Sequence, residues 1–297
     1  MQKGRVIKTY NSFYYIQSLS EVCSELIVCK LRGRFKKQHK SVVTGDEVGF
    51  ELLPDHTGII EERFARRNLL RRPAVANIDQ VLLTFAAVQP DLHPLLLNRF
   101  LVMAEWSGIP EIVICVNKMD LLPAAQAEKF LSLYEKAGYR VLRVSARDRK
   151  GIEVLEQQLS GRVSVFAGPS GVGKSSLLNA IDAKLCLATG QISDKIKRGR
   201  HTTRIAQLLP FSGGFVADTP GFSSLELEKI DPQDLAVYFP EFRAFLGACR
   251  YHTCTHSHEP QCAIKQAVAD GKLSSERYEA YLNILAEINE RKKDYES

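Results

Sequence analysis

The sequence lacks the marks of a membrane protein and of a secreted protein. No apolar run reaches the roughly 20 consecutive residues that a helix needs to cross a bilayer. The opening residues MQKGRVIKTYNSFYYIQ contain neither the apolar core nor the small-residue cleavage site of a secretory signal. We therefore expect a cytoplasmic protein without a membrane partner, and nothing in the sequence argues against a monomer.

Excess charge is absent from most of the chain. Residues 1–72 hold 14 Lys and Arg against 8 Asp and Glu, and this difference equals the net charge of +6 of all 297 residues. The remaining residues are electrically balanced. A basic excess that is confined to one module favours an anionic partner, and nucleic acid is the first candidate.

Cysteine is too unevenly spread for a disulfide framework. The chain has seven cysteines, and four of them stand in apolar surroundings that favour buried structural thiols, namely Cys23, Cys29, Cys115 and Cys186. The other three form the pattern Cys249-x4-Cys254-x-His256-x5-Cys262. Three thiolates and one imidazole are a suitable set for a structural Zn²⁺ ion in a closed tetrahedral site. His252 and His258 compete with His256 for the fourth position.

Hydrophobic periodicity divides the chain into three predicted domains. In residues 1–72, runs rich in β-branched and aromatic residues predict strands at Val6–Gln17, Glu25–Arg32, Glu47–Leu53 and Gly58–Arg63. Strands of this length and spacing predict a small β-barrel, and periodicity alone leaves an OB-fold and an SH3-like barrel as alternatives. Pro73 follows an arginine-rich exit and marks the predicted boundary.

Residues 73–225 alternate between strand patterns and helix patterns. The predicted strands include Gln80–Val88, Glu111–Val116, Tyr139–Val144 and Val163–Ala167, and the helices include Pro94–Trp106, Ala124–Ala137 and Ile152–Leu159. Because these strands are continuously apolar, we expect a mostly parallel sheet with helices on both faces. Residues 226–297 carry the cysteine cluster and a helix at Ser275–Lys293, which predicts an α-helical zinc-binding domain. The fold class is therefore multidomain α/β.

A phosphate-binding P-loop follows the fourth of these strands. It consists of Gly168-Pro169-Ser170-Gly171-Val172-Gly173-Lys174-Ser175, and Ser176 begins the next helix. The glycines let backbone N–H groups approach the phosphates of a nucleotide. We expect Lys174 to neutralise the β and γ phosphates and Ser175 to bind Mg²⁺.

Two further loops at strand ends predict recognition of guanine. Asn117-Lys118-Met119-Asp120 follows the second strand, and the Asp120 carboxylate can accept hydrogen bonds from guanine N1 and N2, which adenine cannot supply. Asn117 and Lys118 would brace the loop and pack on the base. Ser145-Ala146 follows the third strand and matches the companion loop whose backbone contacts guanine O6. In Ras-like GTPases the tetrad follows the P-loop, so the reversed order here predicts a circularly permuted GTPase domain.

The remaining phosphate-side elements are Asp218-Thr219-Pro220-Gly221 and the basic loop Lys195–Arg204. Asp218 would hold Mg²⁺ through water, and the Gly221 N–H would sense the γ-phosphate. The basic loop is the predicted switch I, and Thr203 in it is the expected Mg²⁺ ligand in preference to Thr202.

The catalytic machinery predicted from these elements is incomplete. Ras-like enzymes place a glutamine after the glycine to orient the attacking water, whereas this chain has Phe222, so we expect slow hydrolysis without a partner. His201 could orient or deprotonate the water beside the charge-stabilising Lys174 and Thr203. A surface histidine without a role is an equal alternative.

With its motifs in this order, the chain resembles the ribosome small-subunit-dependent GTPase A family over essentially its whole length. The matching residues are Asn117–Asp120, Gly168–Ser176, Asp218–Gly221, the switch I signature Gly199-Arg200-His201-Thr202-Thr203, and the ligands Cys249, Cys254, His256 and Cys262. The resemblance implies an N-terminal OB-fold, a permuted GTPase domain and a zinc-binding C-terminal domain. It also implies a GTPase that acts late in assembly of the small ribosomal subunit, is stimulated by that subunit and binds ribosomal RNA.

Two other functions remain open on the sequence. The chain could be an RNA-binding assembly chaperone that uses GTP only as a passive switch, and a Lys174→Ala variant would separate that function from catalysis. An ATP-dependent kinase is the third possibility, and Asp120 argues against it. Because the predicted switch II, Asp218–Leu225, runs directly into the C-terminal module, nucleotide state could also be transmitted to that module.

Overall fold

The computed structural model describes residues 1–19, 25–33, 41–71, 74–183, 185, 206–218 and 227–296. The predicted site residues His201, Thr203 and Gly221 lie outside these ranges, and for Asp218 the description is limited to the backbone. Within the described ranges, no helix is both long and apolar enough to cross a bilayer.

The N-terminal part is a closed barrel of five strands. They are β1 (Gln2–Tyr10), β2 (Phe13–Ser18), β3 (Ile27–Leu31), β4 (Glu47–Leu52) and β5 (Gly58–Arg63). Their order is β1-β2-β3-β5-β4, and β4 pairs back with β1 to close the barrel. β3 and β5 are parallel, whereas the other neighbours are antiparallel. This is the five-stranded Greek-key arrangement of an OB-fold, and it excludes the SH3-like alternative.

The predicted strand Val6–Gln17 is wrong, because a two-residue hairpin turn divides it into β1 and β2. Asn11 and Ser12 at the turn have φ values of 46° and 66°, as a type I′ turn requires. Tyr10 pairs with Phe13 across it. Asparagine tolerates positive φ, but serine rarely adopts it. The pair Asn11-Ser12 is therefore a weak turn signal, and the aromatic residues on both sides make the segment resemble one continuous strand.

The predicted mostly parallel sheet is confirmed and has six strands. They are β8 (Gln80–Ala86), β9 (Glu111–Asn117), β10 (Arg140–Arg143), β11 (Val163–Ala167), β12 (Leu209–Phe211) and β13 (Gly214–Asp218), after a small hairpin of β6 (Leu69–Arg71) and β7 (Ala74–Ala76). The order is β10-β9-β8-β11-β13-β12, and β12 alone in this sheet runs antiparallel. The P-loop strand β11 therefore lies centrally, between two strands that are distant from it in sequence.

Apolar side chains on both faces of the sheet hold the helices. The helices of this part are α1 (Pro94–Trp106), α2 (Ala124–Lys136), α3 (Ile152–Leu159) and α4 (Lys174–Ile181). Every residue of β8 is buried. Its Val81 and Leu83 belong to the cluster that contains Leu97 of α1, whereas Leu82 packs into the cluster that contains Leu177 of α4. Burial on alternate faces explains why the strand is continuously apolar.

The C-terminal part consists of short 3₁₀ turns and two helices, α5 (Ala263–Ala269) and α6 (Ser275–Glu296). Tyr281, Leu285 and Ile288 form an apolar stripe on α6 and are buried in the same core as α1. The stripe therefore serves core packing.

A buried arginine joins this part to α1. Arg277 of α6 is 2% exposed and donates to Glu241 at 2.5 Å and to Asn98 of α1. Its guanidinium also lies 4.7 Å from the ring centroid of Phe239, at cation–π distance. Since an unpaired buried charge is costly, these contacts fix α6 against α1.

Candidate nucleotide-binding and metal-binding sites

The loops that follow several parallel strands meet at one edge of the central sheet. Asn117 ends β9, Gly168 follows β11, and Asp218 ends β13 opposite Phe166. Ligands bind in sheets of this kind at the carboxyl ends of the strands. A cavity of about 610 Å³ opens there between the tetrad, the loop after β10 and the first turn of α4. The motifs thus converge although their order in the chain is reversed.

Two P-loop glycines leave no room for a side chain. A Cβ atom at Gly168 would lie 2.0 Å from the Thr84 carbonyl oxygen, and one at Gly173 would lie 2.4 Å from Asn117 Nδ2. Gly173 also has a φ of 92°, which L-residues with side chains rarely adopt. The loop can therefore keep its close approach to β8 and to the tetrad only with glycine at both positions.

Asn117 ties the three nucleotide motifs together. Its Nδ2 donates to the Val172 carbonyl oxygen of the P-loop at 3.0 Å, and its Oδ1 accepts from the Ala146 N–H at 3.1 Å. The residue is 2% exposed, so these hydrogen bonds satisfy a buried amide. One side chain thereby sets the distance between the P-loop and the companion loop.

Lys118 adds a second connection between the tetrad and the P-loop. Its backbone is left-handed, with a φ of 61°, and its ammonium group donates to the Gly171 carbonyl oxygen at 2.9 Å and to the Gln89 carbonyl oxygen. Met119 begins a 3₁₀ turn, and its N–H donates to the Val144 carbonyl oxygen at 3.2 Å. The tetrad is therefore fixed by its backbone as well as by its side chains.

The companion loop orients the Asp120 carboxylate. Ser145 is 1% exposed, and its hydroxyl donates to Asp120 Oδ1 at 2.7 Å while it accepts from the Asp148 N–H at 3.0 Å. This hydrogen bond lowers the pKa of Asp120 below its ordinary value. The carboxylate is therefore an ionised acceptor at neutral pH, and it lines the cavity.

Lys174 begins α4 directly after Gly173, which lines the cavity. Its ammonium group donates to the carbonyl oxygens of Gly168 and Pro169, both at 2.8 Å. Ser175 and Ser176 are exposed in the first turn of α4. The N–H groups of a first helical turn, with a lysine beside them, favour an anion.

Six of the predicted site residues line the cavity, and two others hold its loops in place without lining it. The lining includes Asn117, Lys118, Asp120, Ala146, Gly173 and Ser176. Met119 and Ser145 hold the loops in place by the hydrogen bonds described above.

Six residues that line the cavity were missed by the sequence analysis: Gln89, Leu121, Arg147, Arg149, Asn179 and Ala180. Arg147 directly follows Ser145-Ala146, so extending that loop by one residue would have found it. Gln89 belongs to no motif. It reaches the cavity because β8 lies beside β9 in the sheet, which is a tertiary relation that its neighbours in sequence do not reveal.

The predicted metal ligands form one compact group in the C-terminal part. Ligand atoms of Cys249, Cys254, His256 and Cys262 all lie within 4.8 Å of one another. His256 Nδ1 is 3.4 Å from the Sγ atoms of both Cys249 and Cys262. The competing histidines His252 and His258 are exposed and stand outside the group. Thiolate and imidazole ligands in this number suit a metal ion such as zinc.

Helix α6 holds the backbone of the metal-ligand loop. The hydroxyl groups of Tyr278 and Tyr281 donate to the carbonyl oxygens of His256 and Thr255, at 2.7 and 2.5 Å. On the other side, Glu259 accepts hydrogen bonds from Thr255 and Ser257. Burial opposes ionisation of Glu259, but these hydrogen bonds outweigh it and lower its pKa to about 2. Hydrogen bonds from the two tyrosine hydroxyl groups and to the Glu259 carboxylate therefore order the ligand loop independently of a metal ion.

Comparison with known proteins identifies similar chains. Residues 63–228 match the family described as RsgA GTPase, and residues 3–60 match the RsgA N-terminal domain. A protein of Halalkalibacterium halodurans named small ribosomal subunit biogenesis GTPase RsgA is 42% identical, over 99% of each chain. A Geobacillus protein of the same name is 44% identical, over 99% of this chain and 100% of its own.

Two solved structures share this architecture. The crystal structure of YjeQ from Thermotoga maritima has a TM-score of 0.84 and 38% identity, and the match covers 97% of this chain and 98% of that one. The structure of YloQ, described as a circularly permuted GTPase, has a TM-score of 0.82 and 39% identity, over 98% and 96% of the two chains.

Proposed function

Since this chain belongs to the RsgA GTPase family, we propose that it hydrolyses GTP to GDP and phosphate in the assembly of the small ribosomal subunit. Its relatives carry the name small ribosomal subunit biogenesis GTPase. The observation that carries the proposal is the shared cavity, in which Asp120, the companion loop and the P-loop face one another. The name of the relatives describes a GTPase, so the chaperone alternative, in which GTP is bound but not hydrolysed, is not favoured.

The base and the phosphates would be bound at opposite ends of this cavity. Asp120 accepts hydrogen bonds from guanine N1 and N2, and the loop after β10 contacts guanine O6. The P-loop amides and Lys174 surround the β and γ phosphates. Support for this division comes from Asn117, whose amide spans the two loops.

Magnesium would be bound with the nucleotide by Ser175 and Thr203, with Asp218 acting through water. Ser175 is exposed in the first turn of α4, and β13 brings the Asp218 backbone beside the P-loop strand. The ion would neutralise charge on the β and γ phosphates. Gly221 would sense the γ-phosphate and His201 would orient the attacking water. Phe222 in place of a glutamine makes hydrolysis slow until a partner completes the site.

The C-terminal domain, residues 226–297, would bind one structural Zn²⁺ ion through Cys249, Cys254, His256 and Cys262. The compactness of the group and its donor chemistry support zinc. Residues 1–72 would form the RNA-binding domain and residues 73–225 the GTPase domain. The protein would act in the cytoplasm and away from membranes, because its proposed partner is an assembling ribosomal subunit, and we propose that it is a monomer.

The barrel surface supports binding of ribosomal RNA. Lysines lie over aromatic rings on it: Lys8 Nζ is 4.3 Å from the Tyr15 ring centroid, and Lys30 Nζ is 5.1 Å from that of Phe13. Tyr10 and Phe13 at the hairpin turn are 51% and 36% exposed. Exposed rings interleaved with cations are typical of surfaces on which unpaired bases stack.

Removal of both hairpin rings is expected to weaken RNA binding. A Tyr10→Ala, Phe13→Ala variant should lose about tenfold or more in affinity for single-stranded RNA, because each stacked base contributes about 1–3 kcal/mol. Fluorescence anisotropy at fixed salt measures this. Val154→Ala removes an exposed apolar side chain from α3 and should change nothing. Equal affinity of the double variant and the wild type would place RNA elsewhere.

The function itself is tested by GTP hydrolysis with and without purified small ribosomal subunits, with large subunits as the control. We expect strong stimulation by small subunits alone. Equal, slow turnover in all three reactions would contradict a subunit-stimulated GTPase, and preference for ATP in competition would contradict the assignment of the base pocket.

A further inference from the structure

The chain segment that begins at Ala206, two residues after the predicted switch I, is hydrogen-bonded to the barrel part of the molecule. Thr44 Oγ1 donates a hydrogen bond to the Ala206 carbonyl oxygen at 2.9 Å, and Thr44 is 2% exposed. The Leu208 N–H donates to the Ile7 carbonyl oxygen, also at 2.9 Å. Within four residues of Arg204, the last residue of the predicted loop, the backbone is thus hydrogen-bonded twice to the barrel.

The barrel strand is irregular at the point of contact. The pairing of β1 with β2 shifts its register between Val6 and Lys8, so that Ile7 is left out of that ladder. Lys8 forms a bridge with Gln207. A β-bulge redirects the backbone groups of its strand, and here it directs the Ile7 carbonyl toward the segment after switch I.

Thr44 is held rigidly on its other side. Its carbonyl oxygen accepts from the Ala76 N–H at 2.8 Å, and Asn77 Nδ2 donates to the Gly45 carbonyl oxygen at 3.0 Å. Gly45 has a φ of 88°, and a Cβ atom there would lie 2.1 Å from the Ala76 carbonyl oxygen. A displacement of Thr44 relative to β7 would break both of these hydrogen bonds at once.

The segment held by the barrel is one arm of the hairpin that separates the two switches. Leu209 of β12 pairs with Val216 of β13, and Phe211 pairs with Gly214. Ala206 therefore lies at the open end of this hairpin, where Asp218 ends β13. In the chain, switch I ends just before Ala206 and switch II starts at Asp218, so an anchor at Ala206 acts where both segments join the hairpin.

We infer that Thr44 is a positioning residue that couples the barrel to switch I. The inference rests on the proposed function. It supplies a route by which RNA bound on the barrel stimulates GTP hydrolysis. RNA that fixes the barrel also fixes Ala206 through Thr44. Since three residues of chain span at most about 11 Å, this anchor acts within reach of Thr203, the proposed magnesium ligand. Thr44 itself touches neither nucleotide nor metal.

Two substitutions at one position test the hydrogen bond. Thr44→Val keeps the branched shape but removes the donor and leaves the Ala206 carbonyl oxygen unpaired, whereas Thr44→Ser keeps the donor. We expect the stimulation by small ribosomal subunits to fall about tenfold in Thr44→Val and to be largely retained in Thr44→Ser. The affinity for GTP should change less than twofold. Thr57→Val removes a hydroxyl that donates to Asp55 within the barrel and serves as the matched control.

A structural role alone would give a different result. Thr44→Val would then lower the melting temperature but leave the stimulation factor at the wild-type value, and this outcome would overturn the inference. Equal losses in the valine and serine variants would also overturn it, because the hydroxyl would not be the cause.

A second measurement separates this inference from the proposed function. If wild-type protein is not stimulated by subunits, the proposed function fails, and the coupling is then tested by amide hydrogen exchange with GDP and with a non-hydrolysable GTP analogue. We expect nucleotide-dependent exchange at Gly45 and Leu208 in the wild type and no such dependence at Gly45 in Thr44→Val. Identical exchange at both amides in both nucleotide states would refute the coupling.

Discussion

Replacement of Asp120 by asparagine is expected to weaken GTP binding by about a hundredfold or more and to create affinity for xanthosine triphosphate. The carboxylate can accept from both guanine N1–H and the guanine 2-amino group. An asparagine side chain would direct its own NH₂ at that amino group, so buried donors would be left unpaired. Xanthine carries an oxygen in place of the amino group, and the asparagine NH₂ can donate to it.

The contacts of Asp120 allow the Asp120→Asn substitution to change base recognition without disturbing the loop. Ser145 Oγ, at 2.7 Å, can donate to the asparagine Oδ1 as it donates to the carboxylate, so the loop should keep its shape. Equilibrium titration with fluorescent GTP and xanthosine triphosphate measures both affinities. Asp148→Asn, an exposed substitution in the companion loop that does not line the cavity, is the control. Unchanged GTP affinity in Asp120→Asn would mean that the base binds elsewhere.

Removal of the proposed zinc ion is expected to destabilise the C-terminal part strongly. The ligand loop spans 14 residues from Cys249 to Cys262 and has few apolar side chains of its own. In such loops the free energy of binding a structural zinc ion contributes directly to the free energy of folding. Chelation, or Cys262→Ser, should therefore lower the melting temperature of this domain by about 10 °C or more. The expected effect extends to α6, because Tyr278 and Tyr281 donate to the ligand loop.

Thermal unfolding with and without chelator, together with the zinc content of the purified protein, measures this effect. His258→Ala changes an exposed histidine of the same loop that stands outside the ligand group. It should keep one zinc ion per chain and the wild-type melting temperature. A chelated protein that unfolds at the wild-type temperature would contradict a structural role for the ion, and zinc loss in His258→Ala would contradict the ligand set.

The elements that sequence predicted well are those whose apolar pattern is set by burial. The helix Pro94–Trp106 and the strand Val163–Ala167 have the predicted bounds, because each carries a regular apolar face or a continuous apolar run between polar turns. The short strand Leu209–Phe211 was missed, since three residues that include a proline give no periodicity. It exists because it pairs with β13 at the edge of the sheet.

The nucleotide motifs were recognised from local spacing, but their mutual contacts were not. Asn117 bonds to Val172, 55 positions away in sequence, and the sequence offers no signal for that pairing. The strand order places β9 and β11 on either side of β8, which brings these residues together. The sequence left His252 and His258 as competitors of His256 for the fourth metal-ligand position. The structure favours His256, because the other two histidines are exposed.

The bond between Arg277 and Asn98 spans 179 positions, and this separation has a consequence during synthesis of the protein. Helix α1 emerges from the translating ribosome long before α6, which packs against it. At roughly 5–20 residues per second, the interval between the two is about 10–35 s. Throughout that time, part of the apolar surface of α1 is uncovered on the nascent chain. Chaperones that bind exposed apolar segments therefore have a defined period in which to engage this protein, and it closes when α6 docks.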